Sequence, residues 1–75
     1  MRIARAREMK RALIELIRNN VELDEVREWL WEDFGARVRS WEEAERFMMR
    51  EEVTLADLYI FLRENDVEVN EIREL

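Results

Sequence analysis

Three stretches of this chain spell nearly the same phrase: Val21-Glu22-Leu23-Asp24-Glu25-Val26, Val53-Thr54-Leu55-Ala56-Asp57-Leu58 and Val67-Glu68-Val69-Asn70-Glu71-Ile72. Each opens on valine, has an acid four residues on, and has an aliphatic residue one beyond that. With the valine placed just before the N-cap, the acid falls at the third helical position and the aliphatic residue at the fourth. That is a hydrophobic staple with half a capping box, and Thr54-x-x-Asp57 completes the box in the middle copy. In the outer copies Asp24 and Asn70 are better caps by residue type than Glu22 and Glu68, which allows a start two residues later. The phrase specifies architecture and carries no chemistry.

Seventy-five residues make one domain, 1–75. A chain of this size buries only about 60% of its unfolded surface, so it needs either a staple or very well-formed packing. Without Cys there is no disulfide, and without His as well there is no ordinary structural zinc. Pro and Gln are also absent, and all but one of the thirteen basic residues are Arg. So narrow an alphabet fits a designed sequence, or a protein of a hot, GC-rich organism.

Apolar spacing predicts helices over about 3–18, 24–34, 41–51 and 55–64, with a short C-terminal helix at 71–75. Asn19-Asn20 and Asn65-Asp66 read as breaks, Gly35 as a C-terminal stop, and Ser40-x-x-Glu43 as a second capping box. The fold class is therefore all-α: a compact bundle of four main helices plus a stub, crossing at varied angles because no heptad is sustained. The expected core is Leu13, Leu16, Ile17, Val21, Val26, Trp29, Leu30, Phe34, Trp41, Ala44, Phe47, Met48, Leu55, Leu58, Leu62, Val69 and Ile72. Val21–Glu28 also aligns with Val67–Glu74, and Ile17-Arg18-Asn19-Asn20 echoes Leu62–Asp66 with one insertion. Both a duplicated helical hairpin and the reuse of a favoured turn account for this.

Local rules are broken in three places, which is where interaction surfaces are sought. Arg2, Arg5 and Arg7 crowd the start of the first helix against its dipole. Arg7, Arg11 and Arg18 fall within about 40° of one another around that helix, a stripe suited to phosphates or an acidic partner. The plainer expectation is that this stripe lies against the chain's own Glu25, Glu28 and Glu32. Residues 1–18 carry a charge of +4 on a chain of net charge −6, leaving −10 on the remainder. Secondly, Leu58–Leu62 is apolar all round. It predicts either a central buried helix or an oligomer interface through Ile60 and Phe61. Thirdly, Trp31 lies beyond the apolar face of its helix, and either widens the core under the Gly35–Arg39 loop or stands as an exposed anchor.

Catalysis has little to work with. The chain has one Ser, one Lys and no His or Cys, and those types do most acid–base and nucleophilic work. Ser40 reads as an N-cap, although Arg37-Val38-Arg39-Ser40 is also a weak basophilic kinase motif. Asp66-x-Glu68-x-Asn70 and Asn20-x-Glu22-x-Asp24 begin like calcium loops but lack the glycine and the final glutamate. No cofactor or metal is expected. Thr54–Leu58 followed by Val69–Ile72 loosely resembles a helix–turn–helix, but its second helix would be acidic, so nucleic acid is disfavoured.

No apolar run approaches the length of a membrane span, and no signal peptide is visible. The expected setting is cytoplasmic or recombinant soluble. The function expected from sequence is a non-catalytic scaffold or protein-interaction module, with Arg7, Arg11, Arg18, Trp31, Ile60 and Phe61 as its candidate surface. The competing expectation is a small thermophile or mobile-element regulator that binds a partner protein or nucleic acid through the first helix.

Overall fold

The computed structural model describes residues 2–69. Four helices occur among them: α1 (Arg2–Asn20), α2 (Leu23–Phe34), α3 (Trp41–Met48) and α4 (Leu55–Glu64). There are no strands among the described residues, so the all-α expectation holds. The expected stub at 71–75, together with Ile72 and the second helix of the helix–turn–helix reading, lies outside the described residues.

Two copies of the repeated phrase start helices, and the third, from Val67, runs beyond the described residues. Glu22 is the N-cap of α2 and Val21 before it is buried, so the valine sits where the staple requires. The Glu22 side chain makes no capping bond; its backbone carbonyl accepts from the Glu25 and Val26 amides instead. At α4 the box is complete. Thr54 Oγ1 accepts from the Asp57 amide at 3.1 Å, and Asp57 Oδ2 accepts from the Thr54 amide at 2.9 Å. Val53 and Leu58, the two staple residues, are both fully buried. At α3 the box is displaced: Ser40 Oγ accepts from the Glu43 amide, while Glu43 Oε1 reaches one residue further back to the Arg39 amide.

Two helices end differently from expectation. Asn19 and Asn20 do not break α1 but complete it, and Asn20 Nδ2 folds back over the last turn to donate to the Leu16 carbonyl at 2.9 Å. The third helix stops at Met48 rather than Glu51. From there the chain tightens into i→i−3 turns, Arg50 N to Phe47 O and Val53 N to Arg50 O, which swing Val53 into the core. Gly35 ends α2 in the left-handed region at φ 68°, with its amide on the Trp31 carbonyl and the Ala36 amide on Leu30.

The helices close around one core. α1 packs on α3 and α4, and α2 packs on α3. Leu13, Ile17, Val26, Leu30, Met48, Val53, Leu58 and Leu62 are wholly removed from water, each contributing about 1.5–3 kcal/mol. An aromatic chain ties α4 to α2 and α3. Phe61 stacks on Trp29 at 4.1 Å, Trp29 meets Phe34 edge-on at 5.7 Å, and Phe34 meets Phe47 at 5.8 Å. Leu16, Trp29, Phe34, Trp41, Phe47, Leu55 and Val69 line the core only partly buried, whereas Ile14, Val38 and Val53 join it unexpectedly and Phe61 takes the buried one of its two alternatives.

Candidate interaction surfaces

The arginine stripe is divided by the fold. Arg18 donates to Glu45 of α3 at 2.8 Å and lies over the Trp41 ring, so it clamps the end of α1 to α3. The expected partners Glu25, Glu28 and Glu32 are not used. They point instead toward α4, where with Asp33 and Glu64 they rim a shallow groove floored by Trp29 and Phe61. That correction follows from which helices touch: α1 borders α3, and the acid within reach is on α3.

Arg7 and Arg11 are exposed, and neither pairs with another described residue. Arg11 edges a groove of about 470 Å³ between α1 and α3 that also holds Ile14, Glu15, Glu45 and Met49. Around the preceding turn Arg5, Ala6, Arg7 and Glu8 are all exposed. Four successive residues point four ways around a helix, so this turn of α1 stands clear of the body. At 1.5 Å per residue α1 is about 28 Å long, close to the 31 Å longest dimension of the molecule. The first turn of α1 contains no acid to offset the dipole.

Lys10, one turn further in, does not join this edge. Its Nζ donates to the Arg50 carbonyl at 2.7 Å, which docks α1 on the α3–α4 connection. Desolvation lowers its pKa, with Asp57 and Glu51 pulling the other way.

Trp31 is an exposed residue rather than a core extension, with 51% of its surface accessible. Arg37 lies over its ring at 4.9 Å. Arg27 braces the same loop, donating from Nε to the Val38 carbonyl at 2.9 Å. Together they edge a groove of about 530 Å³ that also includes Asp24, Glu28 and Ala36. Sequence reading placed Arg37 only in the motif before Ser40 and missed its position over Trp31. The signal was available in Gly35, since a left-handed stop turns the chain back along the last turn of its helix.

The proposed face of α4 is mostly interior. Phe61 is only 4% exposed and belongs to the core, held there by its stack on Trp29. Ile60 is 54% exposed but stands without it, and single surface hydrophobics are ordinary. Leu58–Leu62 reads as apolar all round, yet its helix is neither central nor buried on every side.

Among the described residues no group of three or more carboxylates converges as metal ligands would, and no helix is long and apolar enough to cross a membrane. No protein-family model, curated protein or solved structure matches the chain. The chemistry of these surfaces is therefore what bears on function.

Proposed function

We propose that the chain is a non-catalytic interaction module, a small heat-tolerant scaffold of designed or heat-adapted origin, that presents the solvent edge of α1 to an acidic segment of a partner protein. One observation carries this reading. Of three aligned arginines only Arg18 is consumed by the fold, while Arg7 and Arg11 stay exposed and unpaired within the described residues. Residues one turn apart on a helix lie about 5–6 Å apart, a spacing that two carboxylates on a partner helix also adopt. Nucleic-acid affinity comes mainly from neutralising several phosphates with Lys and Arg, and this edge supplies few cations beside so acidic a body.

The test is binding of a labelled acidic helical peptide at low and high salt, followed by anisotropy. Wild type is expected to bind and to weaken with salt. Arg7→Glu with Arg11→Glu should abolish binding and leave the unfolding free energy from urea titration within about 0.5 kcal/mol of wild type. Binding that survives the double reversal sinks the reading, and preferential retention of duplex DNA replaces it with the nucleic-acid one.

A second reading rests on Trp31, half exposed on a rigid helix with an arginine over it, since Trp and Arg are the residue types enriched at binding hot spots. Selection of random peptides on the wild-type chain, counter-selected on Trp31→Ala, is expected to enrich binders there. No enrichment removes this surface from consideration.

A further inference from the structure

The segment between α2 and α3 joins two features that the α1-edge reading leaves unused: the Arg37-Val38-Arg39-Ser40 motif, whose Arg37 also lies over Trp31, and the conformation in which the fold holds it. Residues 35–39 form no helix or strand, and Arg37, Arg39 and Ser40 are all exposed. Within this stretch Val38 is buried in the core and Ala36 packs against it, and the Val38 carbonyl is held by a single side-chain bond from Arg27. From these observations we propose that Ser40 is a phosphorylation site for an arginine-directed serine kinase.

The other hydroxyls of the chain provide the contrast. Thr54 is also an exposed N-cap, but Glu51 and Glu52 stand at the positions where Ser40 has Arg37 and an adjoining residue, and tight turns precede it. Thr54 is also tied on both sides by its reciprocal box, whereas the box at Ser40 is broken, with Glu43 turned away to the Arg39 amide. Tyr59 lies within α4 and is half-buried. Ser40 thus combines basic residues on its N-terminal side, an approach free of helix and strand that ends in extended backbone at Ser40 itself, and a hydroxyl whose oxygen makes only one capping contact, from the Glu43 amide. These are what a cleft lined with carboxylates that takes up non-helical chain requires.

The reaction is an ordinary phosphoryl transfer. Ser40 Oγ attacks the γ-phosphorus of a nucleoside triphosphate held by the kinase, the bond to the bridging oxygen breaks, and the nucleoside diphosphate leaves. The hydroxyl proton passes to the kinase's own base.

The experiment incubates the folded full chain with the catalytic subunit of a cyclic-AMP-dependent protein kinase and magnesium ATP, and reads intact mass. Wild type is expected to gain one phosphoryl group. Ser40→Asn should gain none, and because Asn is as good an N-cap as Ser, unfolding is not the cause. Arg37→Ala with Arg39→Ala should slow transfer about tenfold or more, the effect of a lost charge-assisted hydrogen bond. Arg27→Ala, which frees the Val38 carbonyl, should speed it. No transfer to wild type, or equal transfer to Ser40→Asn, overturns the proposal.

Discussion

At the scale of single residues, two backbone positions store identifiable costs. Gly35 sits at φ 68°, and a Cβ built there meets nothing within 4 Å. Gly35→Ala is therefore expected to lose only the left-handed backbone term, about 1 kcal/mol, as a lower urea midpoint with an unchanged slope. Asp66 is the one non-glycine described residue with positive φ, at 62°. It closes α4 with the Asp66 amide on Arg63 and the Val67 amide on Leu62, the Schellman arrangement, which favours Gly. An acid at a helix C-terminus also opposes the dipole. Asp66→Gly is expected to raise stability by about 1 kcal/mol, and Asp66→Asn by the smaller electrostatic part alone. Equal midpoints for all three chains would remove both arguments. The motif around Gly35 was legible in sequence, but the strain at Asp66 was not, because Asn65-Asp66 reads equally well as any polar break.

At the scale of elements, the helix starts were the most legible part of the chain, since capping is local and needs only a few consecutive residues. The structure ranks them. α4 has both arms of its box, and α2 has no side-chain arm at all. Thr54→Ala is expected to cost about 1 kcal/mol, and Glu22→Asp, which adds the missing acceptor, to return about 0.5–1 kcal/mol. Chemical denaturation of the two variants checks the order. Helix ends were less legible. Asn20 and Asn65 each donate from Nδ2 to the carbonyl four residues back, Leu16 and Phe61 respectively. This shared device aligns the echo between the two regions and identifies the inserted residue as Asp66. In the first copy, where it is missing, the Val21 amide goes to Ile17. The early end of α3 is set by something outside α3, namely the need to deliver Val53 to the core as the residue before the next cap.

At the scale of the whole molecule, the two tryptophans of α2 divide the labour. Trp29 links α4 to the rest of the aromatic chain, and Trp31 faces water. Trp29→Ala is expected to cost about 3 kcal/mol or more and Trp31→Ala less than about 0.5 kcal/mol. A thermal melt separates them by many degrees, and wild type is expected to melt above the 45–65 °C range common among mesophilic domains. Lys10 links stability to pH. Burial holds its folded pKa below the usual 10.5, so in the window below that value the unfolded chain binds more protons and stability rises with pH. The urea midpoint of wild type should gain on that of Lys10→Met as pH climbs toward 10.5; a constant difference would show that Lys10 contributes no linkage.

The sequence by itself determined the helices, their starts and most of the core, because capping and apolar periodicity act within one or two turns. Only the tertiary structure decided the fate of residues at the margins of those faces. Phe61 went inward because Trp29 of another helix offered its ring, and Trp31 stayed out because the chain returning past Gly35 brought Arg37 over it. Arg18 was neutralised and Arg7 was not because Glu45 of α3 reaches the last turn of α1, while the turn at Arg5–Glu8 stands exposed. Each of these outcomes depends on which helix is the neighbour, and a helical period read along one strand of sequence carries no record of that.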